Sequence, residues 1–195
     1  MRDMTDNTKT ADDMVLIKAY LNGDSKAFEE LYYRYNKLLY GYLNNMLQNS
    51  GIDPDDIFEE TWLKVIDKLP KYRDDGKFSA WLFRLAHNLF IDHIRRNRNK
   101  VFRSLDSEEA PDLPAPDHRE PGKELENIEL GREIQNAVQS LSQEQREVFL
   151  LRQQELSFKE IAEIQKCSLN TVLSRMHYAI KNLRVFLANS RSLIK

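Results

Sequence analysis

The sequence predicts an all-α protein of two small helical domains, and three observations carry that expectation. Apolar residues recur at spacings of three and four along most of the 195 residues, as in helices that bury one face. The two-residue alternation of Val, Ile and Thr that marks half-buried strands is missing. The 6 prolines are not spread evenly: Pro111, Pro114, Pro116 and Pro121 fall in one polar stretch, 104–122. Such a stretch has too little apolar surface to offset its ordering entropy and reads as an extended linker. The expected organisation is a first domain over 12–100, a linker over 101–124 and a second domain over 125–190.

In the first domain, Gly23-Asp24-Ser25 opens a helix near Lys26 whose apolar stripe runs Phe28, Leu31, Tyr35, Leu38, Tyr42 and Met46. Ser50-Gly51 ends it. Asp53-Pro54-Asp55-Asp56 then starts a second helix: Asp53 caps, Pro54 suits the first helical position, and the carboxylates complement the helix dipole. Its buried positions are Ile57, Thr61, Val65 and Leu69, and it stops near Pro70. After a loop over 71–77, a third helix runs from about Ser79 to Arg95-Arg96. Trp81, Leu82, Leu85, Leu89 and Ile94 serve the core there, and Arg84, Asn88 and Arg95 share a polar face.

In the second domain a helix covers 126–138. The next begins at Ser142, with Gln145 three residues on, and the one after at Ser157, with Glu160 in the same relation, both in the capping-box spacing. A short helix from Phe158 to about Ile164, the turn Gln165-Lys166-Cys167-Ser168 and a longer helix from about Leu169 to Ala188 make a helix-turn-helix. Ile161, Ala162 and Ile164 are expected to pack against Val172, Met176 and Ile180. Ser168, Asn170, Thr171, Ser174, Arg175, Tyr178 and Lys181 then lie toward the exposed start of the second helix, with groups suited to base edges and phosphates.

Charge and composition narrow the function. The formal net charge is -2, yet its distribution is uneven: Asp53, Asp55, Asp56, Glu59 and Glu60 crowd one segment, and Arg95, Arg96, Arg98, Lys100 and Arg103 another. Local field, not the sum, governs binding. A single cysteine, Cys167, excludes an internal disulfide and a cysteine-based zinc site, and His87, His93, His118 and His177 lack the i, i+4 spacing of a helical metal clamp. No metal site, cofactor, phosphate loop or nucleophile elbow is expected. Without a signal-peptide core or an apolar run of about twenty residues, the expectation is a soluble, cytoplasmic protein with no membrane insertion. For the acidic cluster two readings stay open, a solvated capping face or a protein-docking face around Phe58 and Trp62. For the third helix, core aromatics with a solvated basic end compete with a basic groove that stacks unpaired bases.

Ordered motifs in both halves of the chain are similar to a known family. Asp55-Asp56-Ile57-Phe58-Glu59-Glu60-Thr61-Trp62, Phe78-Ser79-Ala80-Trp81-Leu82-Phe83-Arg84-Leu85-Ala86-His87-Asn88 and Asp92-His93-Ile94-Arg95-Arg96 resemble sigma region two. Leu141 to Phe149, Ser157-Phe158-Lys159-Glu160-Ile161-Ala162-Glu163 and Asn170-Thr171-Val172-Leu173-Ser174-Arg175 resemble sigma region four. Together they resemble the extracytoplasmic-function (ECF) group of bacterial RNA polymerase sigma factors. The resemblance implies a non-enzymatic subunit whose partners are core RNA polymerase, through the beta-prime coiled coil and beta flap, and promoter DNA, both duplex and single-stranded. It also implies an anti-sigma partner. By the same resemblance Asp55, Asp56, Phe58, Glu59 and Glu60 dock on polymerase. Lys77, Trp81, Arg84, His87, Asn88, Arg95 and Arg96 meet the minus-ten element, and the loop 71–77 captures a base. The residues already named on the second helix of the helix-turn-helix read the minus-thirty-five element. Leu173 and Tyr178 stand where the family is often basic, His87 where arginine is usual, and Lys166 where the turn often has glycine. A stand-alone helix-turn-helix regulator with an N-terminal sensor or dimerisation domain is the alternative, and a helical adaptor with no DNA role a third.

Overall fold

The computed structural model describes residues 12–48, 50–73, 77–104 and 124–193; the linker expected over 101–124 lies mostly outside them. Among the described residues there are eight α-helices, one 3-10 turn and no strand. In order these are α1 (Asp13–Leu21), α2 (Ser25–Leu47), α3 (Pro54–Lys68), the turn Leu69–Lys71, α4 (Phe78–Ser104), α5 (Glu124–Gln139), α6 (Gln143–Gln153), α7 (Phe158–Ile164) and α8 (Leu169–Leu193). None of these helices is long and apolar enough to cross a membrane.

Local caps place most of the helix starts. The Asp53 carboxylate accepts from the Asp55 N–H at 2.9 Å, with Pro54 in the first turn. Ser157 and Glu160 form the reciprocal capping box, Ser157 N–H donating to Glu160 Oε2 at 2.6 Å and Glu160 N–H to Ser157 Oγ at 3.3 Å. At Ser142 the hydroxyl accepts from Gln145 N–H at 3.4 Å. One helix, α1, has no counterpart in the sequence reading. Asp12 caps it, Leu16 and Ile17 bury against α2, and Gly23 at φ +100° turns the chain out of it. Asp13 fastens it by accepting from Arg34 and from the Tyr35 hydroxyl. Burial first, then this carboxylate, pushes the Tyr35 phenol well above its ordinary pKa.

Helix α2 is the spine of the first domain. Leu31, Tyr35, Leu39, Tyr42, Leu43, Met46 and Leu47 are buried. Two positions of the expected stripe need correction: Leu38 is 41% exposed, Leu39 takes its place at 0%, and Phe28 is half-buried. Helices α1, α3, α4 and α6 all touch α2, so its buried surface is wider than one three-four stripe and is centred one residue later. Phe78, Phe83 and Phe90 of α4 are buried too, which settles these aromatics as core. In the helix-turn-helix, Ile161, Ala162, Ile164 and Val172 are buried as expected, but further along α8 Ala179 is buried while Ile180 is 37% exposed and Met176 half-buried. Lys166 adopts φ +51° in the turn, which explains why glycine suits that position.

The spine position gives a sharp contrast. Leu39→Ala is expected to cost about 2–5 kcal/mol of unfolding free energy, the range for emptying a buried leucine site. Leu38→Ala is expected to stay within about 0.5 kcal/mol. Urea denaturation of both variants followed by circular dichroism checks this; equal destabilisation would contradict the burial assigned to each.

Candidate nucleic-acid and protein-docking interfaces

The outer face of α3 is acidic and partly apolar. Asp55, Asp56 and Glu59 are exposed, and Phe58 is half-buried against Tyr32, Tyr40 and Trp62. Asp55 accepts a hydrogen bond from the Tyr40 hydroxyl, which raises that phenol's pKa. Glu60 is bridged to His93 at 2.9 Å and to Lys64 at 3.1 Å. Burial alone would raise its carboxyl, but these two bonds outweigh it and hold the group below the usual range. Leu63, 67% exposed, and Ile66, 41% exposed, continue the same face. They went unread in the sequence, though they follow Asp56 and Glu59 at helical spacing, outside the buried stripe. Leu63 and Ile66 thus leave a small apolar patch beside the carboxylates of Glu59 and Glu60.

Helix α4 brings together a basic surface at its start. A groove of about 540 Å³ is lined by Lys71, Arg73, Lys77, Trp81 and Arg84 from the first domain and by Ser157, Lys159, Glu160 and Glu163 from the second, so its basic side belongs to the first domain. Trp81 is half-buried against Tyr72, with centroids 4.9 Å apart. Further along, His87 is buried, Asn88 half-buried, and Arg95 and Arg96 exposed, Arg95 bonded to Asp92 at 3.1 Å. The side chains of Arg98, Lys100 and Arg103 lie outside the described residues, as do residues 74–76 of the loop.

The start of α8 presents fewer of its predicted groups than the sequence implied. Ser168 Oγ accepts from Thr171 N–H at 3.1 Å and pairs with Thr171 Oγ1 at 2.8 Å, so both hydroxyls are engaged in capping. Arg175 turns back on the turn, donating to Gln165 Oε1 at 2.7 Å and to Cys167 Sγ at 3.4 Å. At 3.6 residues per turn, Asn170, Ser174, His177 and Lys181 line up opposite the buried Val172 and Ala179, flanked by Leu173 and Tyr178. All six are exposed. His177 and Leu173 were absent from the sequence-predicted set; the signal was available in their spacing from Asn170.

The structure also docks the two domains on each other, which the sequence did not foretell. Glu147 of α6 is 3% exposed. Its Oε1 accepts from the Tyr42 hydroxyl at 2.5 Å and pairs with His87 Nδ1 at 2.6 Å, and its Oε2 accepts from Gln165 Nε2 at 2.8 Å. Around it, Arg84 binds Glu163 at 2.7 Å, Lys166 donates to Asn88 at 3.2 Å, and Lys77 donates to the Glu155 carbonyl at 3.4 Å. Four of the residues predicted for minus-ten contact, Lys77, Arg84, His87 and Asn88, are therefore bonded to the second domain.

Known proteins resemble the chain in the same two segments. Sigma-70 region 2 matches residues 31–100 and Sigma-70, region 4 matches residues 131–183. The ECF RNA polymerase sigma-E factor of Haemophilus influenzae is 28% identical over 173 residues, which is 86% of this chain and 90% of that protein. The RNA polymerase sigma factor CarQ of Myxococcus xanthus is also 28% identical over 173 residues, 88% of this chain and 95% of that one. Among solved structures, the sigma factor RpoE bound to the anti-sigma factor NepR, from Bartonella quintana, shares the fold with a TM-score of 0.64 at 22% identity. That match covers 84% of this chain and 98% of RpoE.

Glu147→Ala tests the docking. It leaves the Tyr42 hydroxyl and His87 without their acceptor, a loss of about 1–3 kcal/mol for each buried group left unsatisfied, while Gln165 keeps the Glu144 carbonyl. The expected result is a larger radius of gyration by small-angle scattering with unchanged helical circular dichroism, and a smaller change for Glu147→Gln. An unchanged radius in Glu147→Ala would contradict the role given to this carboxylate.

Proposed function

This chain belongs to the ECF group of bacterial RNA polymerase sigma factors, and from that membership we infer how its surfaces divide the work. It is a sigma factor: it binds core RNA polymerase and directs promoter-specific transcription initiation. The carrying observation is the ordered pair, region 2 before region 4, on one chain. That pair disfavours the stand-alone regulator. The family is a non-enzymatic one, and the chain is read as having no catalysis of its own and as working in the cytoplasm beside the polymerase.

The outer face of α3 is the polymerase-docking surface, with Asp55, Asp56, Phe58, Glu59 and Glu60 as its acidic and aromatic part and Leu63 and Ile66 as its apolar part. The exposure of Leu63 and of the flanking carboxylates supports this. The basic wall of the groove at the start of α4, with Lys77, Trp81 and Arg84, and the positions His87, Asn88, Arg95 and Arg96 beyond it meet the opened minus-ten strand. Aromatic and cationic groups together are what unpaired bases require. The exposed face of α8, from Asn170 to Lys181, enters the major groove of the minus-thirty-five element. Ser168, Thr171 and Arg175 then serve the turn and the helix start, where backbone and side-chain donors can meet phosphate.

Two elements about 25 base pairs apart are separated by about 85 Å of duplex at 3.4 Å per step. A domain pair whose Lys166 and Asn88 are hydrogen-bonded cannot span that distance, so the docked arrangement is the form before promoter engagement. An anti-sigma factor is a further partner, as it is for the structurally similar RpoE, and its ground would be the polymerase face.

Transcription in vitro with purified core polymerase tests the assignment. The protein should co-elute with core and confer initiation at a specific promoter, and failure of both would refute it. Glu59→Lys should weaken core association at least about tenfold, equivalent to about 1.4 kcal/mol. Lys181→Ala should leave core association unchanged and weaken binding to the upstream element. Equal loss of core association in the two variants would refute the division of labour.

A further inference from the structure

The exposed face of α8 carries one group that suits neither water nor phosphate. Leu173 is 42% exposed. It sits three residues after Asn170 and four before His177, both exposed on the same side of the helix. An exposed leucine alone means little, since folded proteins leave much apolar surface in water. Its place matters here. The first two turns of the second helix are the part of a helix-turn-helix that meets base edges, and a side chain there is stripped of water when the helix enters a groove about 8.5 Å deep.

In that groove guanine offers N7 and O6, adenine N7 and the N6 amine, and cytosine the N4 amine. A leucine over any of these removes hydration without replacing a hydrogen bond, which is unfavourable. The thymine 5-methyl group is the one apolar feature, and burying it against leucine is favourable. Asn170, one turn earlier, matches the adenine N6 and N7 pair.

We propose that Leu173 is a specificity-determining residue that reads a thymine 5-methyl group in the minus-thirty-five element, beside the base pair met by Asn170. The inference rests on the sigma-factor reading above and adds a base preference to it. Leu173 thereby favours a methyl group where an arginine or lysine would favour phosphate or the O6 and N7 of guanine.

The test uses full-length protein assembled with core polymerase. A strong promoter is first selected from a library randomised in the upstream element. If no promoter-dependent initiation is obtained from any sequence, the sigma-factor reading fails, and this inference fails with it. On the selected promoter, each upstream thymine is replaced singly by deoxyuridine, which removes the methyl group and nothing else. The expected result is one position at which deoxyuridine weakens holoenzyme binding about fourfold, the worth of one buried methyl group. Leu173→Ala should make that position insensitive while other positions keep their response, and Leu173→Met, still apolar, should preserve the sensitivity. Cytosine at that position should weaken binding, and 5-methylcytosine should restore part of the loss. The inference is overturned if deoxyuridine effects are the same in wild type and Leu173→Ala. It is equally overturned if Leu173→Ala weakens association with core polymerase in the absence of DNA, which would place the side chain against protein.

Discussion

A carboxylate taken out of water needs donors on every side that water once occupied, because an unpaired buried charge is among the most unfavourable things a fold can contain. Glu147 meets that demand with groups from three different places. Tyr42 comes from the spine of the first domain, His87 from the centre of α4, and Gln165 from the end of α7. None of them lies on α6 itself. The environment of this one side chain therefore exists only when the two domains are assembled around it. Burial and the neighbouring carboxylate drive the Tyr42 phenol well above its ordinary pKa, which keeps it a hydrogen-bond donor to Glu147.

The residue before it faces the other way. Arg146 donates to the carbonyls of Val138, Gln139 and Leu141, satisfying groups left open where α5 ends, and its remaining amine reaches the Asn45 carbonyl of α2. Burial lowers its pKa from the ordinary value, but a guanidinium keeps its charge through such a shift. Two adjacent residues of opposite charge thus grip the first domain at two points, one through a carboxylate and one through a guanidinium. Gln135 and Gln139 add amide contacts to Asn45 at 3.0 and 3.1 Å. These polar bonds border an apolar contact, for the buried residues of the two domains, from Leu43 and Phe83 to Val138 and Val148, form one cluster.

What was legible in the sequence follows from how far each determinant reaches. Caps at Asp53, Ser142 and Ser157 act over three residues, and their helices begin where the sequence put them. The helix-turn-helix was legible for the same reason, as a spacing of local signals. Leu38 was read as buried in place of Leu39, and Ile180 in place of Ala179, because the width of a buried face depends on how many partners surround a helix. Periodicity on one strand of sequence does not count them. Glu147 was invisible: on α6 it is one more acidic residue, and its partners His87 and Tyr42 lie 60 and 105 residues away. Arg175 is a middle case. Its residue type suggested a DNA contact, but its angular position, well round from Asn170 and Ser174, places it against Gln165 and Cys167.

The same geometry orders the events of assembly. The docked domains bond Lys77, Arg84, His87 and Asn88; under the proposed assignment, minus-ten recognition competes with the seam and the apparent DNA affinity of the free chain falls with the fraction that is open. The outer face of α3 is under no such constraint. Asp56, Glu59 and Leu63 are exposed while the domains are docked, and α3 packs on α2 and α4, within its own domain. Under the proposed assignment, polymerase engages α3 without opening the seam, whereas DNA needs the seam open for its full set of contacts. Binding that favours the open form shifts the population by its differential affinity for the two forms and by nothing else. On the proposed assignment of surfaces, a partner that binds the open form supplies that difference, and the seam around Glu147 is where it acts.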